Sequence, residues 1–165
     1  MIGRVSFLRN TKFVGDVSEA KVIAAFVEAG YSVSIPFGEN HRYDLIVEHD
    51  NMLSRVQVKT GRLHNGAIVF NCFSAHSHRT GASFRRYTGE VEYFGVYCPE
   101  TGDTHLVPND SLPIKGYLRV EATRNGQQKK IRWASEFRLG SEPMNAVGDS
   151  TDHGVTLFGP DSPPL

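Results

Sequence analysis

At 165 residues the chain suits one domain with a real hydrophobic core. Its apolar and charged fractions, 39% and 22%, are those of an ordinary soluble globular protein. Lys plus Arg and Asp plus Glu both number 18, so no global field draws in nucleic acid, and any such surface must come from local clustering.

In chain order, Asp16-Val17-Ser18-Glu19 reads as a capping box, with the Asp16 side chain accepting from early backbone N–H groups. Val22, Ile23, Phe26 and Val27 follow near the i, i+3, i+4 spacing of a core-facing stripe, and Gly30 stops the run. These signals predict a helix of about 13 residues. The period then changes to strand over 31–36, 43–48 and 53–60, with a turn at His49-Asp50-Asn51-Met52. On the third strand Val56 and Val58 share one face, and Arg55, Gln57 and Lys59 the other. Residues 67–73 read as a fourth strand.

Residues 74–90 carry no apolar period and read as a long loop, a kind of segment that is often functional. Residues 91–98 form a buried strand, with 104–107 its antiparallel partner. Strands at 117–122 and near 130–133 follow, turned at Arg124-Asn125-Gly126-Gln127. From residue 140 to 165 the chain is Gly, Pro, Ser and Asp with little to bury, so a domain over 1–139 and a flexible tail are expected.

Cys72 and Cys98 form no Cys-x-x-Cys pair and fit reduced, buried thiols better than a disulfide framework. No apolar run approaches bilayer length, and the start of the chain lacks a signal-peptide core, so a cytoplasmic protein is expected. Cys72, His76 and His78 are irregularly spaced and lack a fourth ligand, which argues against zinc. Trp133, Tyr93 and Phe94 read as core.

Three segments carry chemistry: Glu19 on the helix, Asp44 on a strand, and Gln57-Val58-Lys59 on the next strand. Phosphodiester hydrolysis needs a divalent cation on hard oxygen ligands and a positive group beside the attacked phosphate. Asp44 supplies a carboxylate, Gln57 a neutral carbonyl, and Val58 its backbone carbonyl. Residues i and i+2 project from one face about 6.6–6.8 Å apart. Gln57 can therefore hold a metal while Lys59 reaches the phosphate, and Glu19 closes the site from above. Singly, each residue fits a solvated face or a helix cap. The ordered combination of helix acid, strand acid and strand Gln-x-Lys is specific.

The sequence resembles the PD-(D/E)XK nuclease superfamily, and within it the small endonucleases associated with group I introns, which carry Gln in the third motif. The likeness rests on Thr11-Lys12-Phe13-Val14-Gly15-Asp16-Val17-Ser18-Glu19-Ala20, Tyr43-Asp44-Leu45-Ile46-Val47, Val56-Gln57-Val58-Lys59-Thr60-Gly61-Arg62 and the 92–100 strand. More distantly the chain resembles archaeal Holliday junction resolvases. The resemblance implies an α/β, restriction-endonuclease-like mixed sheet flanked by helices, with an N-terminal catalytic helix followed by a β-meander. It implies Mg²⁺-dependent cleavage of double-stranded DNA, with Mn²⁺ as a substitute. The catalytic set is Glu19, Asp44, Gln57 and Lys59, and the metal set is Glu19, Asp44, Gln57 and Val58. Products would be 5′-phosphate and 3′-hydroxyl ends. Two departures stand out: Tyr43 replaces Pro before Asp44, and Gln57 replaces an acid. The second lowers the site's charge by one and favours a single essential ion.

The best local basic cluster is His76, His78, Arg79, Arg85 and Arg86, interleaved with Phe84 and Tyr87. Lys12 and Arg62 flank the catalytic segments, and 127–130 form a weaker patch. Duplex cleavage needs two sites, so a homodimer or larger homo-oligomer is expected. The alternatives are a junction resolvase acting on branched DNA and an inactive DNA-binding module of the same fold.

Overall fold

The structure is a computed structural model and describes residues 11–38, 40–78, 81–110, 112–122 and 130–140. Helix α1 spans Thr11–Glu28. The expected start at Asp16 is therefore corrected: Asp16 and Glu19 lie inside the helix and cap nothing. The local reason is Ser18, whose hydroxyl donates backwards to the Val14 carbonyl at 2.9 Å, a mid-helix habit of serine. Ser18, Val22 and Phe26 form the buried stripe at i, i+4, i+8.

The helix stops where expected. Gly30 has φ +85°, the Tyr31 N–H donates to the Phe26 carbonyl and the Gly30 N–H to the Val27 carbonyl, both at 3.0 Å. This is a Schellman close, and its usual apolar contact is the Tyr31 ring edge-on to Phe26 at 5.3 Å.

Strands β1 (Ser32–Ser34), β2 (Leu45–His49) and β3 (Met52–Thr60) form the expected antiparallel meander. Asp50 and Asn51, at φ 51° and 60°, make the two-residue turn between β2 and β3. Strands β4 (Arg62–His64), β5 (Ala67–Asn71), β6 (Phe73–His78) and β7 (Gly81–Arg86) then intervene before β8 (Tyr93–Cys98). β8 pairs parallel to β3, Gln57 opposite Phe94 and Lys59 opposite Val96. β9 (Asp103–Pro108) pairs antiparallel to β8, as the sequence predicts. The main sheet is thus mixed, in the order β1-β2-β3-β8-β9.

Its two faces are covered differently. On one, Val22 and Phe26 of α1 pack with Leu45, Val47, Val56, Tyr97 and Leu106. On the other, Phe94, Val96, Cys98 and Val107 meet Ile68 and Phe70 of β5 and Leu118 of β10 (Lys115–Arg119). These last strands belong to a separate three-stranded sheet, β10-β5-β4. The long loop expected over 74–90 is corrected: β6 and β7 pair as a hairpin, Phe73 opposite Arg86 through His78 opposite Gly81. The pair forms a sheet of its own and Phe84 stays exposed, so no buried face imposed an apolar period on the sequence.

The expected last strand near 130–133 reduces to a bridge between Arg119 and Trp133, followed by a 3₁₀ turn, Ala134–Phe137. The turn at 124–127 and residues 141–165 lie outside the described residues. Cys72 and Cys98 are buried free thiols, as expected. No helix among the described residues is long and apolar enough to cross a membrane.

Helix and sheet pack closely at Gly95. A Cβ there would lie 2.7 Å from Val22 Cγ1 and 3.2 Å from Val56 Cγ1, and valine has no flexible end to yield. Gly95→Ala is expected to lower stability by about 1–3 kcal/mol through overpacking, measured by urea denaturation.

Candidate active site

The chemistry collects where β2 begins. The Asp44 N–H donates to the Val56 carbonyl at 2.9 Å, continuing the β2–β3 ladder one step beyond Leu45. The Asp44 side chain then takes over, its Oδ2 accepting from the Val58 N–H at 2.7 Å and from the Gln57 side-chain amide. Burial pushes the Asp44 carboxyl up from its usual range. The Val58 N–H, the charge of Lys59 and the Gln57 amide pull it back, without fully offsetting the burial.

Glu19 arrives from the helix side. Ser18 Oγ lies 2.6 Å from Thr60 Oγ1, a buried polar clasp that ties α1 to the end of β3 and sets the residue beside it over the strand. Glu19, Asp16, Asp44, Gln57, Val58 and Lys12 line one cleft of about 300 Å³. Burial raises the Glu19 carboxyl most, and the negative charges of Asp44 and Asp16 raise it further. The cleft is therefore a set of hard oxygen donors that repel one another. Hard oxygens suit a divalent cation in chemistry, but among the described residues no three Asp, Glu, His or Cys side chains stand close enough to form a metal cluster. Sequence reasoning missed Asp16 as a member, having placed it at a cap; its spacing of three from Glu19 on one helix face was the available signal.

Lys59 leaves β3 on the face opposite the helix. Its Nζ donates to Tyr87 Oη at 3.1 Å and to the Phe73 carbonyl at 3.3 Å. The ammonium is within electrostatic reach of Asp44, but Lys59 does not line the cleft that holds Glu19. Burial pushes its pKa down to about 8, against the pull of Asp44 and Cys72, and Arg42 lowers it further.

Tyr87 organises this side. Its ring has Lys59 Nζ 4.7 Å and Arg42 Cζ 4.4 Å from its centroid, and stands edge-on to Phe94 at 5.7 Å. Arg42 is itself fixed by Glu90 at 2.7 Å, by Ser74 Oγ at 2.8 Å and by the Arg86 carbonyl at 3.1 Å. Tyr87 is 4% exposed, so its reading as a DNA-facing side chain is corrected: the ring is core, and its hydroxyl holds the lysine. Arg42 went unread in the sequence, although it stands two residues before Asp44.

The other expected DNA contacts scatter. Lys12 lines the cleft. Arg62 is exposed and pairs with Glu100 at 3.3 Å. Arg85 pairs with Glu90, and Arg86 is exposed on β7. His76 and His78 take places on β6 opposite Ser83 and Gly81. Arg79 lies outside the described residues.

A mixed sheet crossed by an N-terminal helix, with two carboxylates and a Gln-x-Lys strand converging on its edge, defines a nuclease of the restriction-endonuclease-like class. The chain belongs to the PD-(D/E)XK endonuclease family, whose family model matches residues 9–140. Among solved structures it is similar to a bacterial homing endonuclease, I-Ssp6803I, at 24% identity and a TM-score of 0.65 over 78% of this chain and 88% of that one. No curated protein matches.

Because folding lowers the Lys59 pKa from 10.5 to about 8, the unfolded chain binds the extra proton between those values. Stability from this group therefore rises as pH climbs through that window. Relative to Lys59→Met, the parent is expected to gain stability between pH 7.5 and 10, measured by urea denaturation at both.

Proposed function

We propose that this protein is a divalent-metal-dependent endonuclease that hydrolyses phosphodiester bonds in double-stranded DNA. The observation that carries the reading is the convergence of Glu19, Asp44 and Gln57 on one cleft, with Lys59 close enough to Asp44 to feel its charge. Asp44, the Gln57 and Val58 carbonyls and Glu19 would hold the ion. When bound, Mg²⁺ or Mn²⁺ would polarise the phosphoryl oxygen and acidify an attacking water.

The chain's own residues do the rest. Asp44 is oriented by the Val58 N–H and the Gln57 amide, both of which favour its charged form against the effect of burial. Lys59, with a pKa of about 8, exchanges a proton near neutral pH. As the neutral amine it takes the proton of the attacking water, and as the ammonium it offsets charge growing on the phosphate. Water attacks phosphorus and gives its proton to Lys59, the bond to the 3′ oxygen breaks and that oxygen takes a proton from solvent, so 5′-phosphate and 3′-hydroxyl ends result. Tyr87 and the Phe73 carbonyl keep the Lys59 tip at the site's margin until substrate arrives.

Lys12, Arg62, Arg85 and Arg86, with His76, His78 and Arg79, supply contacts to the DNA backbone. Likeness to a protein described as a bacterial homing endonuclease supports site-specific duplex cleavage. Cutting both strands supports a homodimer or larger homo-oligomer.

With Mg²⁺, the protein is expected to cut linear duplex in preference to a four-way junction. Lys59→Ala and Asp44→Asn should each slow cleavage about 10²–10⁴-fold in a single-turnover gel assay. A Lys59→Ala variant that cuts as fast as the parent removes the catalytic assignment, and preferential junction cutting makes the protein a resolvase. Mg²⁺ should also raise the melting temperature of the parent and leave Asp44→Asn unmoved, because a ligand that binds only the folded state stabilises it.

A further inference from the structure

The three-stranded sheet has an outer face that the active site does not use. Along β10 the chain alternates Lys115, Gly116, Tyr117, Leu118, Arg119. Gly116 and Leu118 are buried, and Leu118 joins Ile68 and Phe70 of β5 in the core. Lys115, Tyr117 and Arg119 are therefore directed outward, and Tyr117 is 53% exposed. Registers carry the face across the sheet: Arg62 stands opposite Val69, which stands opposite Tyr117. Beside β10 the 130–132 segment follows its edge, the Arg119 N–H donating to the Arg132 carbonyl at 2.8 Å. The two enclose a cleft of about 390 Å³ whose lining includes Lys115, Arg119, Lys130 and Arg132 and no carboxylate residue.

Charge accounting decides what this cleft can take. Arg132 is neutralised by Asp110 at 2.9 Å, and Arg62 by Glu100. Arg119 donates at 2.6 Å to the Asn65 carbonyl, a neutral acceptor, and keeps its charge uncompensated. Lys115 and Lys130 have no ion-pair partner among the described residues. Among the described residues three positive charges around this concave surface thus have no ion-pair partner, in a chain whose net charge is zero. Glu121 sits over Gly66, beside the Asn65 carbonyl that Arg119 reaches, and does not line the cleft.

We propose that this cleft is a second nucleic-acid contact: Lys115, Arg119 and Lys130 bind the sugar–phosphate backbone of duplex DNA outside the cleaved bond, with Tyr117 lying against the sugars. The proposal rests on the nuclease reading for its choice of ligand. In the chain, Arg62 of this face follows Thr60 of the catalytic cleft by two residues. Backbone contacts of this kind fix register and carry no base preference.

The test is fluorescence anisotropy of the full-length protein with a labelled random-sequence duplex, in EDTA so that nothing is cut, over a salt series. The double variant Lys115→Gln, Lys130→Gln is expected to flatten the slope of log K against log salt by about 1.8, two phosphate contacts at about 0.9 each, and to weaken binding about tenfold at 0.1 M salt. Lys115→Arg, Lys130→Arg should keep the parental slope. An unchanged slope and affinity in the Gln pair overturns the proposal, as does weakened binding in both pairs, which reports damage to the fold. If the Gln pair instead changes only the sedimentation coefficient, the face joins copies of the chain and the proposal falls. A parent that does not bind duplex at all refutes the nuclease reading itself, an outcome distinct from loss confined to this face.

Discussion

The contact of Asp44 Oδ2 with the Val58 N–H, at 2.7 Å, is where backbone and chemistry become one structure. β2 gives out at Leu45 while β3 runs on to Thr60. The main-chain ladder reaches one step further, from the Asp44 N–H to the Val56 carbonyl, and then has no partner strand. A half-buried backbone N–H left there would carry a desolvation penalty. The Asp44 carboxylate removes it, and in doing so is held at the strand end beside Gln57 and the Val58 carbonyl. The side chain that closes the ladder is the same one proposed as a cation ligand. Its second oxygen is not engaged by either bond.

From that point β3 divides the work between its faces. Its even positions face the helix, where Val56 is buried against Val22 and Thr60 clasps Ser18, and this side delivers Glu19. Of its odd positions, Gln57 reaches the cleft at the strand edge, while Lys59 lies over Tyr87 on the far side, where Arg42 also stacks on that ring and is itself fixed by Glu90 and Ser74. The two sides carry opposite strains. On the helix side burial, with Asp44 and Asp16, raises the Glu19 pKa, while burial on the other side lowers that of Lys59. Each charge is destabilised by its surroundings and relieved by a group that substrate or cation would bring. Perturbation of this kind, in a cleft, is the mark of a functional site.

Much of this was legible from residue order. Glu19, Asp44, Gln57 and Lys59 announce themselves because metal-assisted phosphodiester chemistry needs hard oxygens and one cation, and strand alternation puts Gln57 and Lys59 on one side. The meander, the β8–β9 pair and the Gly30 stop follow from local chemistry: alternation, turn residues and a residue able to take positive φ. The helix start failed because a capping box is a pattern of residue types. It reads the same in mid-helix, where Ser18 bonds back to Val14. The β6–β7 hairpin failed because neither of its faces is buried in the main core, so its sequence carries no period.

The sequence by itself singled out the candidate groups and the elements they ride on, since both depend on residue type and short-range spacing. Only the tertiary structure decided what those groups meet. The parallel pairing of β3 with β8 brings together residues more than thirty positions apart, and with it comes Tyr87, which turned from a DNA-facing candidate into the residue that holds Lys59. The same packing buries one side of β10 and leaves Lys115, Tyr117 and Arg119 outward as a charged face. Burial, close approach and uncompensated charge are properties of a whole packed chain, because they depend on which distant segments exclude water from each other.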